Sequence, residues 1–244
     1  MNDILRKQLA IDYCFPEEAV SDHLNHFSEY SPLTGRRRFD GDDCFLKIAV
    51  VNGKLLVTGG KTIVTALQDK LRDFCGAWFA EVDTIIWLNR FLEQDGYCID
   101  RLHLFYISES PQAVNTDGLD IIWYDRESVL QFKDDNRFDE AFAFCNSAPD
   151  VMGVAMTKGQ EILGMAGVSC DSPMMWQLGI NVAPNCESKG IGSMLISLLK
   201  NVVLEKGLLP YYGTSMSHIA SQRVALAAGF KPTFVELITR KIKQ

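Results

Sequence analysis

An α+β fold in two halves is what this sequence predicts, on three observations. A strand-like run, Trp176 to Ala183, passes through a short loop holding Gly190 and Gly192 into a long amphipathic helix. Asn52-Gly53 separates two apolar runs, Cys44 to Val51 and Lys54 to Thr58, and supplies the positive φ angles of a type I′ hairpin turn. Residues 116–244 read as strand, two short helices, three strands, helix, strand, helix, strand, while residues 1–115 follow a different, mixed order. Pro111 to Gly118 is polar and rich in turn formers, so the expected domains are 1–115 and 116–244.

The elements follow from local pattern. Pro16 opens a helix with Glu17 and Glu18 in its first turn and Ala19, Val20, Leu24 and Phe27 on one face. Arg36-Arg37-Arg38 reads as a solvated loop, the usual place for a charge cluster. Ile63, Val64, Leu67, Leu71 and Phe74 line one helix, and Val82, Ile85, Ile86, Asn89 and Leu92 line the next. A strand from Arg101 to Ile107 closes the first half, in which no chemical motif stands out. In the second half, Leu119 to Tyr124 is a strand, and Arg126 to Lys133 and Phe138 to Cys145 are short helices. Val151 to Thr157 and Glu161 to Cys170 flank a Lys158-Gly159 turn. Ile191, Met194, Leu195, Leu198, Leu199, Val202 and Val203 keep the three-and-four spacing of one helical face, which Gly207 ends. Leu208 to Ser215 and Thr233 to Ile242 are the remaining strands.

Composition narrows the function. A hydrophobic content of 47% in 244 residues supports a real core. No apolar run reaches the roughly 18–20 residues that span a bilayer, and the amino terminus lacks a secretory pattern, so a cytoplasmic protein without membrane contact is expected. Seven scattered cysteines with no Cys-x-x-Cys pair imply reduced thiols and no zinc site. His23 and His26 are the one pair near metal spacing, and a surface or packing role outweighs a metal there. A net charge of −7 without a basic stripe argues against nucleic acid and suits a cationic substrate weakly.

The loop Val182 to Gly192 is the most informative segment. First-turn N–H groups of a helix have no partner in the chain and point outward, and the helix dipole adds partial positive charge there. Gly190 and Gly192 allow an anion close to the backbone, and Lys189 adds the loop's one full positive charge. A strand–helix corner, with glycines serving only tight packing, is the alternative reading of the loop alone. Val-x-Pro, a spacer and Ser-Lys-Gly-Ile-Gly before an apolar helix, followed by Ser221, Val224-Ala225 and Gly229-Phe230, resemble the acyl-CoA pyrophosphate loop and the next helix of the GNAT superfamily of N-acetyltransferases. The resemblance covers about residues 116–244.

The resemblance implies a GNAT-like fold, a mixed and mostly antiparallel sheet flanked by helices, with an additional mixed α/β amino-terminal domain as possible acceptor domain. It implies acetyl-CoA as co-substrate, no metal, and a cofactor set of Ile180, Asn181, Val182, Glu187, Ser188, Lys189, Gly190, Ile191, Gly192, Ser193, His218 and Ser221. The pantetheine arm would lie in a wedge between the fourth and fifth strands, with Tyr211 to Thr214 opposite Ile180 to Val182. Three departures matter. Glu187 stands where Arg or Gln is usual, Gln177 stands at the position of the family's common base, and Ala225 at that of its common acid. Tyr212, His218 and Tyr211 are the substitute acid candidates, only one of the two tyrosines facing the wedge because strand side chains alternate. His218 is equally placed to cap the next helix, for which Ser217 is the more ordinary residue. Glu161, Asp171 and Glu236 are conceivable bases but read as solvated strand-edge carboxylates.

Two functions fit. One is an N-acetyltransferase that moves an acetyl group from acetyl-CoA to a primary amine of a small molecule, by direct attack in a ternary complex. The alternative is a non-catalytic acyl-CoA-binding module of the same fold, acting as sensor or regulator.

Overall fold

The computed structural model describes residues 1–38 and 44–243. The chain divides into two compact units. One gathers Met1–Arg36, the run up to Phe105 and the segment from Thr233; the other gathers Tyr106–Pro232 with Arg37 and Arg38.

The first unit opens with α1 (Asp3–Asp12), which starts because the Asn2 side chain accepts from the N–H groups of Ile4 and Leu5 at 2.8 and 3.2 Å. α2 (Glu17–Ser21) is shorter than the apolar spacing predicts. The Asp22 carboxylate accepts from Leu24 N at 2.9 Å, lies 2.8 Å from His26 Nε2 and 3.0 Å from Lys54 Nζ, and so stops the helix in favour of local side-chain bonds. Leu24 is left 67% exposed, and Phe27 enters β1 (His26–Glu29) instead of a helical face. His23 and His26 therefore share no helix, and His26 is engaged by a carboxylate that the sequence reading did not place beside it.

β2 (Leu46–Val51) and β3 (Lys54–Gly59) form the predicted hairpin, with Asn52 at φ 51° and Gly53 at φ 78°. Leu46, Ile48, Leu55 and Val57 face a core closed by α3 (Lys61–Leu71) and α4 (Val82–Glu93). α4 is anchored by Leu88 and Leu92; Val82 and Ile86 of its predicted apolar line are 68% and 44% exposed. β4 (Tyr97–Ile107) and β10 (Lys231–Lys241) complete this part of the sheet in the order β1-β3-β2-β10-β4. Glu236 is not at a solvated edge: it is 3% exposed and accepts from the Tyr13 hydroxyl at 2.8 Å.

In the second unit, β5 (Asp120–Asp125), β6 (Asp150–Lys158), β7 (Glu161–Ser169) and β8 (Met175–Val182) pair antiparallel in chain order. α5 (Ile191–Glu205) then crosses over to β9 (Leu209–Ser215), which pairs parallel with β8, and α6 (Ile219–Ala227) follows. The sheet is thus mixed and mostly antiparallel.

The two short helices predicted before β6 are reduced to 3₁₀ turns, Ser128–Phe132 and Asn136–Phe138, and the chain runs on irregularly to Cys145. The reason lies in the sheet. Gly153, Gly167 and Gly179 stand in register across β6, β7 and β8 and make a row without side chains. The backbone of residues 140–142 lies down in it, so close that a Cβ on Gly179 would stand 2.0 Å from the Glu140 carbonyl oxygen and one on Gly167 2.1 Å from that of Ala141. Phe142 N closes one helical turn onto Phe138 O at 3.0 Å, but the neighbouring N–H groups go to the sheet instead. Asn181 Oδ1 accepts from Glu140 N and Ala141 N at 3.0 and 2.7 Å, and Asp150 accepts from Phe144 N at 2.7 Å. Phe132, Phe138 and Phe142 pack together above Ala155 and Met165.

Candidate active site

The parallel pairing of β8 with β9 runs from Met175↔Leu209 to Leu178↔Tyr212 and ends there. β8 continues to Val182 on its β7 side alone, and β9 continues to Ser215. From Gly179 to Val182 every second residue therefore offers backbone N–H and C=O groups to the gap, an edge able to take an extended guest as an added strand. Tyr211 and Tyr212 lie in the paired part at the closed end of this wedge, not along its open side as the resemblance implied; the part of β9 beyond the last pair is Gly213 to Ser215.

Beyond β8, Pro184–Cys186 make a 3₁₀ turn, and the Cys186 side chain is buried. Glu187, Ser188, Lys189 and Gly190 are all exposed, so the corner is open to solvent. Ser188 at φ 61° and Gly190 at φ 81° are both left-handed, which turns successive backbone amides toward one side, as in anion-binding nests. Gly190 is the N-cap of α5 and contributes no side-chain cap; the helix's first internal bond is Met194 N to Gly190 O. The amides of Ile191, Gly192 and Ser193 thus keep their donors for an outside acceptor. Gly190 has no atom within 4 Å of a would-be Cβ, whereas a Cβ on Gly192 would stand 3.2 Å from Val224 and 3.4 Å from Val182. The first glycine shapes the open cradle; the second is a packing glycine between α5, β8 and α6. Lys189 Nζ donates to Asn185 O at 2.8 Å, so the loop charge is held against its own backbone. Glu187 points into solvent, where its charge near a helix amino terminus is favourable.

The two tyrosines face opposite sides of the sheet. Tyr212, 3% exposed, shares a 2.7 Å hydrogen bond with Ser221 on α6, and burial pushes its phenol up to about 12. Tyr211 is fully buried and donates to Asp171 Oδ2 at 2.5 Å. Asp171 also accepts from Ser169 Oγ at 3.0 Å and Gln177 N at 3.1 Å, and Arg37 lies over the Tyr211 ring. Arg37 is wholly buried and Asp171 is 4% exposed, so neither is the solvated group that sequence pattern suggests. Asp171 works as a bolt, tying the end of β7 to β8 and β9 one rung below the split.

Burial raises the Asp171 carboxyl to about 7, against the lowering effect of Tyr211, Ser169, Arg37 and Gln177. The folded protein therefore holds a proton that the unfolded chain, with an ordinary aspartate near 4, gives up. This stabilisation is full below about pH 4 and is lost as pH climbs through about 7. Asp171→Asn should flatten the fall in stability between pH 5 and 7.5, read as urea midpoints; an unchanged slope would contradict the assignment.

His218 is exposed and occupies the N-cap position of α6, displacing Ser217 from that role, yet its ring makes no capping bond. Ala225, on α6, is fully buried. Among the described residues no group of three or more His, Cys, Asp or Glu could hold a metal ion, and no helix is long and apolar enough to cross a membrane.

Residues 118–230 match the family model for the acetyltransferase (GNAT) family. This part of the chain is a GNAT domain. Solved structures with a similar course include a putative GNAT-family acetyltransferase from Novosphingobium aromaticivorans, 15% identical over 60% of this chain and 68% of that one, with a TM-score of 0.46. A GCN5-related N-acetyltransferase-like protein from Streptococcus suis is 10% identical over 66% and 68%, also at 0.46. A putative acetyltransferase from Salmonella typhimurium, solved with its cofactor acetyl-CoA, is 12% identical over 52% and 96%, at 0.37. No curated protein matches the chain. The sequence pattern misplaces Arg37, which reads as part of a solvated loop and is buried, and gives no sign of the role of the Asn181 side chain. The glycine row did carry one, since isolated glycines inside strands mark close backbone approach.

Proposed function

We propose that the protein transfers an acetyl group from acetyl-CoA to a primary amine of a small molecule, by direct attack within a ternary complex. The observation that carries this reading is the end of β8–β9 pairing at Leu178↔Tyr212, with the open cradle of Ser188 to Ser193 at the mouth of the same gap. The cradle fits a diphosphate: two left-handed residues, first-turn amides that make no bond within the helix, and no side chain over Gly190. The Gly179–Val182 edge fits an extended amide-bearing arm, with Ser221, Ile191 and His218 on flanking elements. Acetyl-CoA would supply an activated thioester; the chain supplies amides, position and exclusion of water.

Tyr212 cannot act as a strong acid here. A phenol near 12 keeps its proton against a thiol of ordinary pKa, about 8.5, so it can donate only a hydrogen bond. The proton that leaves with the sulfur then comes from the attacking nitrogen. Gln177 and buried Ala225 add no acid or base. Tyr211 is spent on Asp171.

Thiol release from acetyl-CoA in the presence of spermidine, tyramine or glycinamide tests the reading. Turnover on any of the three supports it; tight CoA binding with no turnover selects the binding module, and no binding removes both. Tyr212→Phe should lower kcat roughly tenfold, the worth of one hydrogen bond of about 1.4 kcal/mol, with CoA affinity unchanged. An unchanged kcat would strike Tyr212 from the site.

A further inference from the structure

The position of the family's usual base is held by an amide, Gln177, and Asp171 is sealed below the split. Glu140, an exposed residue, has its backbone packed on β8 where the wedge begins. The geometry points to Glu140 as the group that receives the acceptor amine, anchoring its ammonium form and taking its proton before attack. This rests on the acetyl-transfer reading above.

Two features of geometry place the backbone of Glu140. Its carbonyl oxygen lies on Gly179, the first β8 residue past the last β9 pair, at a spot where a Cβ would be only 2.0 Å away. Its N–H, with that of Ala141, is held by Asn181 Oδ1 within the unpaired run of β8. Its charge adds to the upward push that burial exerts on the Tyr212 phenol. The backbone of Glu140 is thus bonded through its N–H and packed through its carbonyl against the strand that lines the wedge, while the residue itself is exposed. The glycine row makes this possible: with side chains at 153, 167 and 179 the segment could not approach the sheet. Asp139, on the same segment, accepts from Asn181 Nδ2 at 3.2 Å, and the Tyr212 phenol on β9 responds to the Glu140 charge.

The chemistry balances. The ammonium gives one proton to the Glu140 carboxylate, and the freed nitrogen pair forms the new C–N bond as the C–S bond breaks. A second N–H proton goes to the departing sulfur, and Glu140, being exposed, returns its own proton to water.

The test uses the full chain, with spermidine, tyramine and glycinamide as cationic probes and methoxyamine as a probe already uncharged at pH 7. Glu140→Gln should reduce kcat/KM for the cationic probes by about 100-fold and spare methoxyamine, with the KM for acetyl-CoA unchanged. Calorimetry on CoA-loaded protein should show the cationic probe bound about tenfold more weakly by the variant, one lost charge contact. Equal turnover in variant and parent, or equal loss on charged and uncharged probes, overturns the assignment. If the parent binds CoA but acetylates no probe, the acetyl-transfer reading falls. Glu140-dependent binding of a cationic probe would then still uphold the anchor, and binding that ignores Glu140 would remove it.

Discussion

Gly167→Val is expected to lower the thermal midpoint by roughly 6–12 °C. A Cβ at this position would stand 2.1 Å from the Ala141 carbonyl oxygen and 2.6 Å from two carbons of the Phe142 ring. The nearest obstacle is backbone, which cannot swing aside as a side-chain tip can. The strand has no room either, because Gly167 is paired on both edges, with Gly153 and Gly179. The segment must therefore lift. Lifting it breaks the Asn181 fork to Glu140 and Ala141 and draws Phe142 away from Phe132, 6.0 Å off and stacked. Overpacking of this kind costs about 1–3 kcal/mol, and the lost hydrogen bonds add about 1 kcal/mol each. A midpoint within about 2 °C of the parent protein would show that residues 140–142 do not rest on the sheet. Under the proposal for Glu140 the same variant also loses turnover, whereas Glu140→Gln leaves the midpoint alone.

Gly190→Val should do the opposite: abolish CoA binding and leave the fold standing. Nothing lies within 4 Å of a Cβ here, so there is no clash, only a backbone at φ 81° that a β-branched residue adopts at a cost of about 1–2 kcal/mol. The loop can escape that strain by rotating the exposed peptides from Glu187 to Gly190, which disturbs no core contact. Rotation turns the amides of the cradle away from each other. Each charge-assisted bond to a diphosphate is worth about 1.5–3 kcal/mol, so losing two lowers affinity by at least about 100-fold. Titration of CoA against the variant reads this directly, and an affinity within about twofold of the parent would dismiss the cradle. Gly192→Val is a useful contrast. Its Cβ would press on Val224 and Val182, so its effect should fall on stability first.

How far the sequence carried depended on whether the signal was local. The strand–loop–helix around Gly190 was legible because helix periodicity and a turn glycine sit side by side in the chain, and the Asn52-Gly53 hairpin for the same reason. The two helices predicted between β5 and β6 were not, since an apolar run is silent about a row of glycines contributed by three later strands. Arg37 read as solvated because its partners, Asp171 and Tyr211, come more than 130 positions later. α2 was overextended because Asp22, an ordinary polar residue by pattern, closes it through bonds to His26 and Lys54. At the site the backbone features followed from motif order, while the bearing of each side chain depended on register. Tyr211 and Tyr212 were neighbours in the chain and ended on opposite faces, one bolted to Asp171 and one to Ser221.

Among the described residues β5 pairs with β6 alone, and it shows Ile122 and Trp123 at 42% and 44% exposure. An open ribbon of that kind invites a twin. A second molecule adding itself antiparallel about the point between those two residues would set Asp120 against Asp125 at both ends, and Asp125 is held in its charged form by Ser128. Like charges directly opposed weaken such a pairing by roughly 0.2–1 kcal/mol each. The aspartates thus act as gatekeepers against fibril-like stacking, most effective in dilute buffer and weakest in concentrated salt.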